Sequence, residues 1–411
     1  MPATESRPTP LPYLTADLPG IGGFIKQRNE DFEVEELPLY EASGSGTHTY
    51  LLVEKVGMTT PQVADAIARH LGVRPRDVGY AGLKDAHAVT RQFFSVEHVD
   101  AERLPSLGGH GWRVLRVGRH ANKLRTGHLR GNRFIIKVRD LIRPDPVVAE
   151  AIVEVLTTRG VPNYFDAQRF GARGDNAAIG LAAIRGDFEE ALAILLGRPN
   201  EHDRGPVREA RLRFDSGDLH AAARLWPHKL ADQRRACQAL LRFKGDAARA
   251  WATIDGRLRD LYVSALQSEL FNRVVVERLS EIDRVRTGDL AWKHDNGAVF
   301  RVTDELVEQP RCRELAISPS GPLFGTRMTA PEGVPAEIEA GVLATIGLTP
   351  AEFGREVSAR ANGARRPLRY RPIDVDLGLG ADEFGPYLRL AFSLDAGCYA
   401  TIFVRELCKS S

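Results

Sequence analysis

The sequence contains none of the long apolar segments that membrane-spanning helices require. Across its 411 residues, no uninterrupted apolar run approaches the ~20 residues needed to cross a bilayer. The N-terminal stretch MPATESRPTPLPYL also lacks the basic and then apolar pattern of a secretory leader. We therefore expect a short disordered lead-in over residues 1–20 and a protein that acts away from membranes.

Cysteine is scarce, and its spacing does not match a metal site or a disulfide framework. The chain has four cysteines and no CxxC pair. They are Cys237, Cys312, Cys398 and Cys408. Because zinc sites and disulfide frameworks usually show closely spaced cysteines, the sequence favours free thiols in a reducing cytoplasm.

A large net charge is also absent, since the formal value is only +2. The distribution of charge is more informative. Residues 112–139 contain nine Lys or Arg and no acid, residues 204–260 contain thirteen against seven acids, and residues 365–371 contain four arginines. One such cluster is consistent with an ordinary solvated surface, but three together favour a nucleic-acid partner.

Alternating apolar and polar residues predict strands in the first part of the chain. In DFEVEEL, Phe32 and Val34 alternate with glutamates, which is the two-residue period of a half-buried strand. Strands over 113–117 and 134–138 are expected to pair with each other around a basic, glycine-containing loop. Further strands are predicted over 21–27, 47–55, 78–80 and 91–99.

Two segments carry the start and stop signals of helices. Thr60 is a candidate N-cap, Pro61 suits the first turn, and Gly72 can end the helix after an apolar stripe. A second helix is predicted over 146–159, with Asp145 as its candidate N-cap.

The composition changes along the chain. Residues 176–198 and 217–282 are rich in Ala, Leu, Arg and Glu at helical spacing, whereas strand-like runs such as LRLAFSL return towards the C-terminus. We therefore predict an α+β protein with a largely antiparallel sheet, in which a mostly helical domain interrupts a split α+β domain. The predicted boundaries are 21–158 and 310–411 for the α+β domain and 159–309 for the inserted domain.

The stretch VGYAGLKDAHAVTRQFF places ionisable residues inside an otherwise apolar run. Asp85 lies in a tight loop that follows two glycines and precedes a strand, and loops held by rigid strands often carry chemistry. A carboxylate nucleophile must stay ionised, so it needs a nearby cation, for which Lys26 and Lys84 are candidates. The alternative is a surface Lys-Asp pair in a turn, which is the commoner case for this dipeptide alone.

Two other features of this region are better explained by structure than by function. His87 has no second histidine or carboxylate at the spacing of a metal site, so we expect a structural histidine and no metal. The stretch GSGTHTY, residues 44–50, does not precede a helix and has no GKS or GKT ending. It is therefore predicted to be a hairpin turn and not a phosphate-binding loop.

The stretch GYAGLKDAHAVTRQ resembles the signature of the TruD family of tRNA pseudouridine synthases, which is approximately AGLKDR-x-A-V-T-x-Q. Four further stretches resemble motifs of the same family in the same order. They are IKQRNEDFEVEE (25–36), RGNRF (130–134), GVPNYFDAQRFG (160–171) and DAGCYATIFVREL (395–407). The resemblance extends from about residue 21 to residue 408, and five motifs at compatible spacing rarely coincide.

The resemblance implies an RNA isomerase that needs no cofactor or metal. Enzymes of this family detach uracil from C1′ of a uridine, turn the base and reattach it through C5, and their usual target is uridine 13 in the D-arm of tRNA. The split α+β domain would be a pseudouridine-synthase-like catalytic domain, and the insertion would be the TruD-type domain. We expect a cytoplasmic monomer that acts on tRNA.

The resemblance also assigns roles to individual residues. Asp85 corresponds to the catalytic aspartate, and Lys26 to a basic residue that could pair with it. Asn132 and Phe134 match the GN-x-F motif, whose aromatic residue faces the uracil. A uridine must leave its stack to react, and an aromatic ring can replace the lost stacking at ~1–3 kcal/mol per base. On periodicity alone, Phe134 is a core residue of a strand and Asn132 a turn residue.

The remaining candidates are RNA contacts. Gln168, Arg169 and Phe170 form a polar, cationic and aromatic cluster that would either contact RNA or hold a domain junction. Phosphate contacts are predicted for three arginines, with a solvated surface as the alternative. They are Arg365, Arg366 and Arg369.

Three positions depart from the family pattern. Ala86 stands where arginine is usual, Asp166 replaces a glycine, and Cys398 replaces a serine. The missing arginine leaves open a non-catalytic RNA-binding or RNA-folding protein on the same scaffold. A third and weaker hypothesis is a metal-dependent phosphodiesterase or nuclease using His87 and Asp85. The residues do not decide whether Asp85 would attack C1′ or remove a sugar proton to form a glycal.

Overall fold

A computed structural model describes residues 10–99, 104, 107–354 and 362–409. The chain divides into two compact units. One, the sheet unit, comprises Thr15–Val161 and Arg371–Ser411; the other, the helical unit, comprises Pro162–Tyr370 and the residues up to Leu14. No helix within the described ranges is both long and apolar enough to cross a membrane.

The helices and strands follow in chain order. The first part of the sheet unit contains β1 (Gly22–Phe24), β2 (Phe32–Pro38), β3 (His48–Val56), α1 (Thr60–Leu71), β4 (Gly79–Tyr80), β5 (Val89–Glu97), β6 (Gly108–Gly109), β7 (Trp112–His120), β8 (Leu129–Leu141) and α2 (Pro146–Arg159). The next elements are β9 (Val161–Pro162), α3 (Asn176–Arg185), α4 (Phe188–Leu196), α5 (Gly205–Asp215), α6 (Leu219–Leu225), α7 (Ala231–Arg242), α8 (Ala247–Trp251), α9 (Gly256–Glu277), β10 (Leu290–Lys293), β11 (Val299–Arg301), α10 (Glu305–Arg313), β12 (Ile317–Leu323), α11 (Gly333–Ala344), β13 (Ala364–Pro367) and β14 (Arg369–Tyr370). The sheet unit resumes with β15 (Ile373–Asp382), β16 (Gly385–Asp395) and α12 (Ala400–Cys408).

A ten-stranded sheet organises the sheet unit within the described residues. Its main path is β15-β16-β8-β2-β5-β3-β7-β6, with β1 paired to β8 and β4 to β5. The pair β2–β5 is parallel, and the other pairs are antiparallel. This mixed but mainly antiparallel sheet, combined with helices, confirms the predicted α+β class.

The predicted pairing between 113–117 and 134–138 is wrong. β7 pairs with β3 and β8 pairs with β2 and β16, so three strands of the sheet separate β7 from β8. Strands that follow each other in the sequence often pair, but the segment that connects them can also carry the chain across the sheet to a distant position. Here residues 121–128 make that crossing, and the basic stretch therefore lies on two strands that are not neighbours in the sheet.

Helix α1 packs on the half of the sheet formed by β3, β5 and β7. Its Val63 and Ile67 belong to one buried cluster with Leu51, Val53 and Phe94. The helix ends as predicted at Gly72, which adopts φ +69°. Its start differs by one residue from the prediction, because the structure places the N-cap on the neighbouring threonine.

Thr59 is the N-cap of α1. Its hydroxyl accepts a hydrogen bond from the backbone N–H of Gln62, and the Gln62 side chain accepts one from the backbone N–H of Thr59. Thr60, the residue predicted to cap the helix, is instead fully buried and donates to Gln92. Thr59 caps the helix because its backbone is extended, with φ −79° and ψ 156°. This conformation lets the side-chain oxygen accept from a backbone N–H of the first turn.

Replacing Thr59 by alanine is expected to lower the free energy of unfolding by about 1 kcal/mol, because the first turn loses its side-chain acceptor. Urea denaturation followed by circular dichroism measures this loss. Thr59→Ser is the control, since it keeps the hydroxyl and should remain close to the parent. Equal losses in the two variants would show that the cap is not the cause.

The C-terminal elements cover the other half of the same sheet. The Phe134 ring stacks on Phe392 of β16 at 5.3 Å between centroids, and Phe392 meets Phe403 of α12 edge-on at 4.8 Å. Residues 1–9 of the expected lead-in lie outside the described residues. Further along, Thr15 is fully buried and its hydroxyl donates to Glu406 of α12 at 2.8 Å.

The helical unit has its own buried centre. The long helix α9 buries half of its residues, among them Leu270 and Phe271. A four-stranded sheet of order β11-β10-β12-β13 accompanies the helices. Because β12 pairs with both β10 and β13, the contacts place residues 310–370 with the helical unit, whereas the sequence predicted a return to the split domain from residue 310.

Candidate active site

The segment Ala81–Ala88, here called the aspartate loop, connects β4 to β5. Its backbone is tied to neighbouring segments at both ends. The Ala81 carbonyl accepts from the N–H of Gly127 at 2.8 Å, and the Ala88 carbonyl accepts from the N–H of Gly57 at 3.3 Å. Both ends of the loop are therefore fixed by main-chain hydrogen bonds, which do not depend on side-chain conformation.

Side chains hold the interior of the same loop. The Gly82 carbonyl accepts from Gln92 at 3.2 Å, and the Lys84 N–H donates to the Thr60 hydroxyl at 3.0 Å. Thr60 in turn donates to Gln92 at 2.8 Å, so the helix start, the strand and the loop form one polar network. This explains why a polar Thr60 and Gln92 are fully buried.

The Asp85 carboxylate forms an ion pair with Lys26, with 2.7 Å between Nζ and Oδ2. The two side chains are 35% and 26% exposed, so solvent reaches the pair. Lys26 adopts φ +59°, a left-handed conformation that is unfavourable for a residue with a side chain. Its ammonium also lies 4.3 Å from the centre of the Phe32 ring. The backbone and the ring together aim this cation at Asp85.

Lys84, the other predicted cation for Asp85, is used differently. Its ammonium lies 3.0 Å from a Glu36 carboxylate oxygen and donates to the Asn132 side-chain oxygen at 2.5 Å. Glu36 and Lys84 are almost completely buried, at 1% and 5% exposure. Burial raises the pKa of Glu36, and the charge of Lys84 opposes that rise. The structure thus corrects the role of Lys84, which anchors the loop to the sheet instead of facing the Asp85 carboxylate.

Lys55 is a residue of the site that the sequence prediction missed. It is fully buried, and its ammonium donates to the backbone carbonyls of Asp85 at 2.8 Å and of Met58 at 2.6 Å. Burial lowers its pKa to about 8, although the nearby Asp85 charge acts in the opposite direction. A signal was present, because Lys55 continues the alternation of Leu51 and Val53 and so must face the core.

Asn132 and Phe134 lie on one face of β8. Asn132 is opposite Glu36 of β2, and Phe134 is opposite Val34, so both point to the face that Lys84 contacts. Phe134 is only 7% exposed. The geometry brings Asn132 into the network below the aspartate loop and places Phe134 in the aromatic core next to it. Their contact with a uracil stays a prediction.

His87 lies at the far end of the loop and is exposed. Among the described residues, no group of three or more His, Cys, Asp or Glu side chains is arranged to hold a metal ion. Ala86, the position where the family has arginine, is half-buried between Asp85 and His87. The four cysteines are free thiols, and three of them are buried.

The helical unit contains the predicted cluster Gln168, Arg169 and Phe170 on one short 3-10 turn. Gln168 is exposed, whereas the other two are more enclosed. Arg169 donates to the Ser268 hydroxyl at 3.2 Å and also to Ser264, both on α9. The arginine therefore fastens the turn to the long helix, and an RNA contact by this cluster stays a prediction.

Two of the three predicted phosphate-binding arginines are internal. Arg369 is fully buried and donates to the Ser318 hydroxyl at 3.0 Å and to the Cys312 carbonyl. The Arg365 side chain is 5% exposed and forms a two-point ion pair with Glu339. These placements correct both predictions, because a guanidinium enclosed by protein acceptors cannot reach a phosphate.

Arg366, the third of these arginines, is half-buried. It donates to the Asn163 side chain and lies 4.3 Å from the centre of the Phe165 ring. Part of its guanidinium group is therefore used within the helical unit. Its phosphate role stays a prediction.

The sheet unit thus presents the Asp85 carboxylate on a tightly held loop. Lys26 forms an ion pair with this carboxylate, and Lys55 donates a hydrogen bond to the Asp85 backbone carbonyl. That arrangement, on a mainly antiparallel mixed sheet, makes Asp85 the candidate site residue of an α+β protein. A family model described as tRNA pseudouridine synthase D (TruD) matches residues 10–407. The chain belongs to this family.

Individual relatives agree over almost the whole length. A protein from Geobacter sulfurreducens named tRNA pseudouridine synthase D is 45% identical over 397 residues, which cover 97% of this chain and 96% of that protein. A protein of the same name from Geobacter metallireducens is 46% identical, with 97% of each chain covered. A crystal structure from Methanosarcina mazei, described as a putative tRNA pseudouridine synthase D (TruD), superimposes with a TM-score of 0.84 at 26% identity, covering 97% of this chain and 96% of that one.

Proposed function

We propose that this protein is a tRNA pseudouridine synthase that isomerises uridine 13 of the D-arm, with Asp85 as the catalytic carboxylate. Membership of the TruD family supports the reaction. The observation that carries the assignment of Asp85 is its ion pair with Lys26 on a loop fixed at both ends. A carboxylate that must act on a sugar carbon needs both a stable negative charge and a fixed position.

The reaction breaks the bond between N1 and C1′ and forms a bond between C5 and C1′. The proton lost from C5 is balanced by the proton gained at N1, so no cofactor or metal is required. Asp85 would either attack C1′ directly or remove a proton from the sugar carbon next to C1′ to give a glycal. Both routes use the same ionised carboxylate, which Lys26 stabilises as a counter-ion.

The substrate must deliver an unstacked uridine to this loop. We propose that Asn132 and Phe134, which lie below the aspartate loop, border the uracil. Three exposed arginines of the basic stretch supply attraction for phosphates, namely Arg125, Arg130 and Arg133. We propose a monomer that acts on tRNA in the cytoplasm.

The test is to incubate the purified protein with bulk tRNA from a strain lacking the corresponding enzyme and to map pseudouridine at nucleotide resolution. We expect a new pseudouridine at position 13. Modification at a different position would overturn the position but not the activity. If tRNA binds and no uridine is converted, the non-catalytic RNA-binding protein becomes the better explanation.

Replacing Lys26 by glutamine is expected to slow pseudouridine formation by about tenfold to a hundredfold. The reason is the loss of one charged hydrogen bond to Asp85, worth about 1.5–3 kcal/mol in general. Single-turnover kinetics on tRNA measures the effect.

Lys137→Gln is a matched control, because Lys137 forms a similar ion pair with Asp382 at 2.8 Å in the same unit. It should leave the rate within about twofold of the parent, since this partly exposed ion pair contributes little to stability and does not involve Asp85. Equal slowing in both variants would argue against a specific role for Lys26.

A further inference from the structure

Lys55 is the most deeply enclosed ammonium group near the site. The side chain starts on β3, has no exposed surface, and ends between two carbonyl oxygens. One belongs to Met58, just after the strand, and the other belongs to Asp85 in the aspartate loop. A single side chain therefore connects a central strand directly to the backbone of the proposed catalytic residue.

No carboxylate among the described residues forms an ion pair with Lys55, whose ammonium donates to these two carbonyls. A buried ammonium without a counter-ion is unfavourable, and an apolar side chain of similar length would fill the same space at lower cost. Core packing therefore does not explain a lysine here. The two carbonyls do, because only a long side chain with several donors can bind both.

The hydrogen bond to the Asp85 carbonyl acts close to the carboxylate. The carbonyl carbon and the side chain share one Cα, so fixing the carbonyl oxygen restricts the direction in which the carboxylate leaves the backbone. Lys26 holds the other end of the same residue by its Oδ2 atom. The backbone N–H of Gly57 also donates to the Ala88 carbonyl, so a second hydrogen bond joins the end of the aspartate loop to the segment that follows β3.

We propose that Lys55 is a positioning residue, which holds the backbone of Asp85 so that its carboxylate is presented at one angle and adds a second positive charge behind it. This inference rests on the proposed function of Asp85 and extends it. Lys55 does not touch the substrate, since it lies beneath the loop with no exposed surface. Its effect is on the chemical step and not on tRNA binding.

The first experiment compares Lys55→Met with the parent enzyme under single-turnover conditions, with enzyme in excess over tRNA. We expect the rate constant of conversion to fall at least about tenfold, since small displacements of a reacting group cost up to about a hundredfold. The dissociation constant for tRNA should stay within about threefold of the parent. A rate constant equal to that of the parent would overturn the proposal, and so would a loss confined to tRNA affinity.

Lys409→Met is the matched control. The Lys409 ammonium also donates to two backbone carbonyls of the sheet unit, those of Thr15 and Leu18, the second at 2.5 Å. The substitution removes the same kind of contact from a segment that does not carry Asp85. We expect a rate constant within about twofold of the parent, and an equal loss in both variants would reduce Lys55 to a structural role.

A pH profile provides a second measurement that does not require Lys55→Met to fold. Burial lowers the pKa of Lys55 to about 8, so its charge is present below that pH and is lost above it. The charged groups that act on it are Asp85 and Lys84 of the aspartate loop, with Lys26 beyond the carboxylate. The parent rate should therefore fall as the pH rises through about 8.

Lys55→Arg keeps a cation that does not titrate in this range. Its alkaline fall should move upward by at least about one pH unit, whereas an unchanged midpoint would contradict the proposal. Failure of the parent enzyme to convert uridine at any pH would instead reject the proposed function. The activity of the parent enzyme therefore distinguishes failure of the proposed function from failure of the proposed role of Lys55.

Discussion

Replacing Asp85 by asparagine is expected to abolish pseudouridine formation while tRNA still binds and the protein still folds. Asparagine has nearly the same shape, but it carries no charge and is neither a nucleophile nor a base. The expected loss of rate is on the order of 10³-fold or more, as for other residues that take part in bond making. Pseudouridine mapping after prolonged incubation, together with a tRNA gel-shift assay, measures both halves of the expectation.

Asp382→Asn is the control for Asp85→Asn. Asp382 also accepts from a lysine, Lys137, at 2.8 Å in the sheet unit, but it belongs to a different cluster with Arg139. We expect this variant to convert tRNA at a rate close to that of the parent. Full activity of Asp85→Asn would reject the aspartate-centred mechanism whatever the control shows.

Glu36→Gln is expected to have the largest effect on stability. Glutamine preserves the shape of the side chain, but the buried Lys84 ammonium, 3.0 Å away, loses its counter-charge. Removing one partner of a buried ion pair generally lowers the free energy of unfolding by about 3–5 kcal/mol. Urea denaturation measures this loss, and tRNA conversion should fall as well because Lys84 anchors the aspartate loop.

Two further variants locate the cause of that loss. Glu36→Gln combined with Lys84→Met should recover much of the stability, since no uncompensated charge remains. Glu33→Gln breaks a partly exposed pair with Arg91 on the neighbouring strands and should cost less than about 1 kcal/mol. A Glu36→Gln variant as stable as the parent would contradict the prediction.

Much of the local structure follows from the sequence. The alternation of Phe32 and Val34 matches β2, and the predicted helix 146–159 coincides with α2 and its Asp145 cap. Such features depend on neighbours within a few residues, so local patterns are sufficient to predict them. The mistaken pairing of β7 with β8 shows the limit, because strand partners are chosen by packing across the whole sheet.

For the charged residues as well, the sequence shows the residue type, and the tertiary packing decides the role. Arg365 and Arg369 belong to a stretch that resembles a phosphate-binding segment, yet both are enclosed by acceptors from distant parts of the helical unit. Charge type is visible in a sequence, whereas burial depends on which elements pack around the residue. A basic cluster alone therefore does not distinguish an RNA contact from an internal hydrogen-bond network.

The sequence by itself determined the family resemblance, the position of Asp85 in a loop between strands and the candidate status of Lys26. It also placed Lys55 and Glu36 in phase with buried residues, although their purpose was not apparent. Only the tertiary structure decided that Lys84 pairs with Glu36 and that Lys55 holds the Asp85 backbone. The physical reason is that each pair joins a strand residue to a residue of the aspartate loop tens of residues away in the chain, and long-range packing alone brings their atoms within hydrogen-bonding distance.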